Sequence, residues 1–328
     1  MDFLSLITFI NMQQLMLKFL YVVALLRYPG IRRDLRYFIR DNYYARLNQI
    51  RFLWADYFVK KPYKVIDYHG EFDQELRYVL PFAYWHHLNG TLKKTISCTN
   101  TREFYFFSEN HSETYEKRVW QAGYGYYEVP NMTHSPTFSY TKFAQVPFKR
   151  HYKNDLFTYG KPILVIANKY NIEWDKPPIN FLGIPELDRI ISSYKQKYQI
   201  IYNRPLSSQI VLDNSEIMDL NEHDWIRKQH PEVILMHDLH EQYRAKVNNF
   251  NHLQLLVYAN TDWFISMHGG TAALASYFGG TNLILSHPGG GMEHHFNEYA
   301  TIFPALSGAK ILHAKNTNEV FRYLNEHY

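Results

Sequence analysis

Trp263-Phe264-Ile265-Ser266-Met267-His268-Gly269-Gly270-Thr271-Ala272-Ala273-Leu274-Ala275-Ser276 is the stretch that decides the fold. A short apolar run, the pattern of a buried strand, ends at His268, meets two glycines and enters a small-residue helix start. Glycine lets the chain turn tightly and bring its backbone close to a ligand. The first N–H groups of the helix have no internal partner and, with the helix dipole, make a phosphate cradle. Thr271 is placed to cap the helix or to add a hydroxyl to the phosphate. The same glycines would also serve plain strand–helix packing.

The glycines are unevenly spread. Seven of the 15 (Gly269, Gly270, Gly279, Gly280, Gly289, Gly290, Gly291) fall in one 23-residue window. Gly279 and Gly280 would end the helix and start the next strand, and Gly289–Gly291 would form a flap beside Glu293, which is placed to accept hydrogen bonds from sugar hydroxyls. Outward from this window the chain alternates strand and helix. Strands are expected at Pro162–Ala167, Gln199–Tyr202, Glu232–Met236, Trp263–Ser266, Asn282–Ser286 and Lys310–His313. Helices are expected at Pro185–Lys197, Asn251–Ala259, Thr271–Phe278, His295–Ile302 and Asn316–His327. That rhythm predicts an α/β fold with a parallel sheet covered on both faces. Ligands of such sheets sit beyond the carboxyl ends of the strands. Five strands in turn run into Asn168 and Lys169, Asn203 and Arg204, His237 and Asp238, His268, and His287. Loops are polar in any case, but histidine at three of these ends points to a site.

A second strand, glycine turn and helix lies upstream. The strand Lys64–Tyr68 opens into His69-Gly70-Glu71-Phe72-Asp73, followed by a helix over Asp73–Leu88 and strands at Lys94–Cys98 and Glu103–Phe107. Here the turn carries acids. Glu71 and Asp73 are the candidate general bases, with His69 next, although Asp73 also suits an N-cap and Glu71 a solvated loop. Residues 109–160 read as irregular. The domains are thus expected at 1–62 (helical), 63–158 (acceptor side) and 159–328 (nucleotide side), two Rossmann-like doubly wound units after a helical segment.

The N-terminal run Phe3–Leu26 is apolar but broken by Gln13, Gln14 and Lys18, and its unbroken pieces fall short of the roughly 20 residues of a spanning helix. Arg27, Arg32, Arg33, Arg36 and Arg40 follow. Residues 1–40 are expected either to pack on the globular body or to lie on an anionic membrane surface. The 328 residues are 46% hydrophobic, which excludes intrinsic disorder. A single cysteine, Cys98, excludes an internal disulfide and fits a cytoplasmic protein, free or peripheral on the inner face of a membrane. A formal charge of +4 does not suggest nucleic-acid binding but suits an anionic small substrate. Sequons at Asn89, Asn110 and Asn131 place nothing, because chance produces them in an Asn-rich chain.

The stretch His268–Gly280, with the strands on either side, resembles the donor-binding segment of GT-B fold glycosyltransferases. In that family a His-x-Gly-x turn binds the pyrophosphate of a nucleotide sugar, and His268, Gly270 and Thr271 match it. Two positions depart from the pattern. Ser276 stands where the family often has a ribose-holding acid, and Gly280-Thr281-Asn282 stands at the Gly-x-Pro site. Gly70–Gly90 looks faintly like the opening turn and helix of fucosyltransferase-like members, without their arginine-rich motif.

The resemblance implies two facing domains, donor phosphates on the second, acceptor and base on the first. The expected activity is transfer of a sugar, hexosyl or deoxyhexosyl, from a nucleotide-diphosphate donor to a glycan or lipid-linked hydroxyl, as in polysaccharide biosynthesis, with inversion, and retention is the alternative because nothing in the sequence fixes the stereochemistry. No Asp-x-Asp motif occurs, so no metal and no cofactor beyond the donor is expected. Lys169 and Arg204 are the candidate cations; His268 is a candidate hydrogen-bond donor. Asn168, His237, Gly269, Gly270, Thr271 and Glu293 complete the expected donor site. His237 with His240 and His294 with His295 lack a third ligand at motif spacing. An epimerase or pyruvyl transferase on this scaffold, or a non-catalytic glycan-binding protein, are the alternatives.

Overall fold

A computed structural model describes residues 3–119, 127–131, 139–173, 175–211, 215–288 and 295–328. It is an α/β protein with two sheets of parallel strands. The smaller has three strands in the order β1 (Lys64–Asp67), β2 (Leu92–Cys98), β3 (His111–Tyr115). The larger is built from β4 (Ile163–Ala167), β6 (Gln199–Asn203), β8 (Ile234–Leu235), β9 (Trp263–Met267), β10 (Thr281–Leu285) and β11 (Lys310–Ala314). A two-stranded antiparallel ribbon, β5 (Asn171–Glu173) with β7 (Ser215–Ile217), lies outside both.

The order of the larger sheet is β11-β10-β9-β4-β6-β8. Counted within the sheet, this is the 3-2-1-4-5-6 order of doubly wound nucleotide-binding folds, with the switch point between β4 and β9. Every residue of β4 is buried, as a parallel strand covered on both faces requires. The carboxyl ends lie level: Ala167 pairs with Asn203 on one side and Ser266 on the other, Met267 with Leu285, and Leu285 with Ala314.

Three expectations are corrected. Glu103–Phe107 is not a strand: Phe104, Tyr105 and Ser108 donate their N–H groups to Thr101, Arg102 and Tyr105, turn bonds in place of a ladder. The third strand is instead the polar edge segment His111–Tyr115. The strand expected at Glu232–Met236 shrinks to Ile234–Leu235, because a helix begins at Met236. The helix expected over Thr271–Phe278 is Gly270–Ser276, only seven residues long.

Of the two buried clusters among the described residues, one spans both sheets and the other belongs to the larger sheet alone. Leu76, Phe104, Phe148, Tyr277 and Phe278 belong to a single buried cluster, in which Phe148 meets Tyr277 edge-on at 5.0 Å. The helical run 72–88 widens to a π turn over Glu75–Val79, a feature frequent at functional sites. Its start is fixed by Glu75, fully buried, which accepts hydrogen bonds from Ser97 (2.5 Å), Tyr105 (2.7 Å) and Arg118 (2.7 Å).

Candidate active site between the carboxyl edges of the two sheets

The glycine turn sits at the switch point. Gly269 has φ +110°, open to glycine and strained for other residues. A Cβ on it would lie 3.6 Å from the Lys169 ammonium, which reaches over the turn from the end of β4. At Gly270 a Cβ would come within 2.7 Å of the Phe72 ring, so the two domains touch here with no room for a side chain. Among the described residues no side chain caps the helix Gly270–Ser276, whose first N–H groups have no partner within the helix.

Both positions that depart from the family pattern brace the turn. Asn282 Nδ2 donates to Ser276 Oγ (2.8 Å) and the Ala272 carbonyl (3.2 Å), while its Oδ1 accepts from Ser266 (2.7 Å). Gly280, at φ +66°, is required, since a Cβ would lie 2.2 Å from the Asp262 carbonyl oxygen.

Across the interface the loop His69–Phe72 leaves the carboxyl end of β1. Tyr68 donates to the Glu71 carbonyl (3.0 Å) and Arg118 to that of Gly70 (3.0 Å). The His69 ring stacks on Tyr115, centroids 4.3 Å apart. Glu71, half-buried, directly precedes the residue that touches Gly270. Asp73 is committed elsewhere. Its carboxylate accepts from Arg77 Nε (2.9 Å) and from Tyr299, whose hydroxyl oxygen also lies 3.0 Å from the Gly269 carbonyl. The buried Arg77 guanidinium also pairs with Glu298 and donates to Tyr78 (2.6 Å). This cluster, which residue spacing hides, ties the first domain to the glycine turn. Only Asp73 with Arg77, four apart on a helix, leaves a trace in the sequence.

Burial would raise the Asp73 carboxyl, but the Arg77 charge together with the hydrogen bonds from Arg77 and Tyr299 outweighs it and holds it below the usual range. Glu298 goes the other way, raised by burial, because Arg77 gives two of its nitrogens to Asp73 and one to Glu298. Burial lowers His268 to about 3, and its Nδ1 meets Ser286 Oγ at 3.0 Å, so the ring is neutral at physiological pH. His86 falls to about 2 by burial and by the charges of Lys64 and Lys142. Its Nδ1 lies 3.8 Å from Asp56 but 2.7 Å from Thr91 Oγ1, and Lys142 already neutralises that carboxylate.

Both imidazoles stay unprotonated in the fold but take up protons near 6.5 once unfolded. Stability is therefore expected to fall as pH drops through about 6.5, by roughly 2–3 kcal/mol per pH unit between about pH 6 and pH 4. Urea unfolding at a series of pH values measures the slope, and a flat profile down to about pH 5 would contradict neutral buried rings.

Asn168 supports the loop beside the glycine turn, and Arg204 and His237 lie apart from it. Asn168 is buried; its Nδ2 donates to the Leu182 carbonyl (2.9 Å) and its Oδ1 accepts the Leu182 N–H (3.0 Å). It thus hangs the 175–183 loop, where Asn180 Oδ1 accepts the His287 N–H (2.7 Å). The buried Asn180 Nδ2 has no acceptor among the described residues. Arg204 follows β6, on the far side of β4 from β9, and is buried against Glu222 with a bond to the Met218 carbonyl (3.1 Å). His237, after the edge strand β8, meets Gln209 at 3.0 Å. Gly289–Gly291, Glu293 and His294 lie outside the described residues. Among those described, no three His, Cys, Asp or Glu gather as metal ligands.

No family model matches the chain, and no curated protein matches it in sequence. Among solved structures it is similar to E. coli heptosyltransferase WaaC with ADP-2-deoxy-2-fluoro heptose, at 10% identity, over 86% of this chain and 78% of that one, with a TM-score of 0.39.

Proposed function

We propose that this protein is a glycosyltransferase that moves a sugar from a nucleotide-diphosphate donor to a hydroxyl of a glycan or lipid-linked acceptor. The observation that carries the reading is the Lys169 ammonium poised over the Gly269 turn, at the switch point of the larger sheet and opposite the carboxyl edge of the smaller one. A cation and uncapped backbone N–H groups suit two adjacent phosphates. His268, neutral and buried, orients the turn and offers a hydrogen bond without a charge. The acceptor enters from the side of the His69–Phe72 loop, where Glu71 takes its proton. Attack from that side, opposite the departing diphosphate, inverts the anomeric carbon, and Lys169 takes up the leaving charge. Arg204 and His237 have no part in this scheme. The single cysteine, Cys98, is buried and its thiol is pushed up to about 11 by that burial, in keeping with an inert side chain in the cytoplasm.

Lys169 is engaged to Glu173 at 2.6 Å, so phosphate must compete with a carboxylate for it. Calorimetry with a panel of nucleoside diphosphates tests the site. Lys169→Met is expected to weaken the best binder by roughly 10- to 100-fold, the worth of a charged hydrogen bond. Glu173→Gln, which removes the competitor, is expected to strengthen it by a few-fold. A panel with no binder, or a Lys169→Met variant of undiminished affinity, would overturn the reading.

A further inference from the structure

The N-terminal segment is charged and apolar in a way the rest of the chain is not. Residues 1–61 carry ten Lys and Arg against four Asp and no Glu, a net +6, whereas the remaining residues sum to −2. Two of those aspartates are buried and engaged, Asp41 by Arg40 and Asp56 by Lys142. The outward charge of the segment is therefore positive.

Its helix Phe3–Arg27 packs on the helix Arg33–Asn48 through Leu17, Leu20 and Ala24, which are buried. The other side bears Met12, Leu15, Met16, Phe19, Val22 and Leu26. Leu15 is 70% exposed, Phe19 61% and Leu26 75%. A short turn at 28–32 joins the two helices, between which the rings of Tyr21 and Tyr37 lie 4.9 Å apart, and a further segment follows the second. That segment, 49–59, exposes Ile50, Leu53, Trp54 and Phe58, with Trp54 (69%) stacked on Phe58 (70%) at 4.8 Å. Arg51, Lys60 and Lys61 border it. A polar network fixes this second patch to the body: Lys142 holds Asp56 and Gln49, and Asn89 donates to the Asp56 carbonyl (2.6 Å).

We infer that these two apolar patches together form a docking surface for an anionic lipid bilayer, on which the protein lies without crossing. Bulky apolar and aromatic side chains with basic residues around them match the acyl boundary and the headgroups of such a surface. Among the described residues no helix is long and apolar enough to cross a membrane. A second copy of the chain fits the surface less well, because pairing two faces of net positive charge brings like charges together. The inference is independent of the proposed activity.

Co-sedimentation of the full chain with phosphatidylcholine vesicles, with and without about one third phosphatidylglycerol, tests it. Binding is expected to the anionic vesicles and to fall steeply as salt rises from about 0.1 M to about 0.5 M. The exposed-site variant Leu15→Gln/Phe19→Gln/Trp54→Gln/Phe58→Gln should lose at least about tenfold in partitioning while unfolding as the parent does. Changing Leu15 and Phe19 alone, or Trp54 and Phe58 alone, should each give part of that loss. Equal recovery in the supernatant with both vesicle types would overturn the inference. So would a stable dimer by light scattering that the fourfold variant converts to monomer.

Discussion

Arg77→Met is expected to destabilise the protein by about 3–5 kcal/mol, the cost of leaving buried carboxylates without their cation. For a chain of this size that is a fall in Tm of roughly 10 °C. The reason lies in what surrounds the guanidinium. Asp73, Glu298, Tyr78 and Tyr299 converge on it from both domains, and it is fully buried. Removing it leaves two carboxylates facing each other across the domain interface. Their pKa values then rise above those of the unfolded chain, so the folded state binds more protons. The penalty of the variant should therefore shrink as pH falls and grow as it rises. The triple variant Asp73→Asn/Arg77→Met/Glu298→Gln removes all three charges and should recover most of the loss. Urea titrations of the three proteins measure this, and a penalty for Arg77→Met below about 1 kcal/mol would show that the cluster does not hold the domains. Donor binding should weaken too, because Tyr299 links Asp73 to the Gly269 carbonyl.

That cluster also marks the limit of what the sequence reveals. Buried parallel strands are apolar on both faces, so runs such as Ile163–Ala167 stand out without any partner. Their order does not, since pairing across a sheet leaves no local pattern, and it is the order that fixes the switch point. The same physics explains the misplaced third strand. Phe104, Tyr105 and Phe107 imitate a buried strand because they fill the shared core, while His111–Tyr115, an edge, shows mostly polar residues. Within the site, residue type marks which side chains are polar and not which are spent. Asn168, Lys169 and Arg204 look alike at strand ends. Asn168 is consumed by Leu182, 14 positions on, and Arg204 by Glu222, 18 positions on. Lys169 stays at the turn because its partner, Glu173, is itself near the surface. The Arg77–Glu298 pair spans 221 positions and has no sequence signal at all.

Glu71→Gln is expected to lower turnover by roughly 10²- to 10⁴-fold while leaving nucleoside diphosphate affinity unchanged, as loss of a general base requires. His69, Glu71 and Asp73 are the candidates for the role, and their surroundings differ. Asp73 is held ionised by Arg77 and Tyr299 and is enclosed within the domain interface, so its basicity is low and its lone pairs are taken. His69 lies flat on Tyr115. Glu71 stands one residue before the Phe72–Gly270 contact, half-buried, its backbone fixed by Tyr68, so its carboxylate starts from the place where the two edges meet. Its proton acceptance must accompany bond formation, because a sugar hydroxyl is too weak an acid to be ionised first. In the proposed reaction the acceptor oxygen bonds to the anomeric carbon as its proton passes to Glu71, and the bond to the diphosphate breaks with that group departing towards Lys169. Glu71→Gln keeps the shape and removes the base, and Glu71→Asp, with a shortened reach, should fall between it and the parent. Full turnover by Glu71→Gln would move the role to His69, and a matching loss of donor affinity would show that Glu71 shapes the donor site instead.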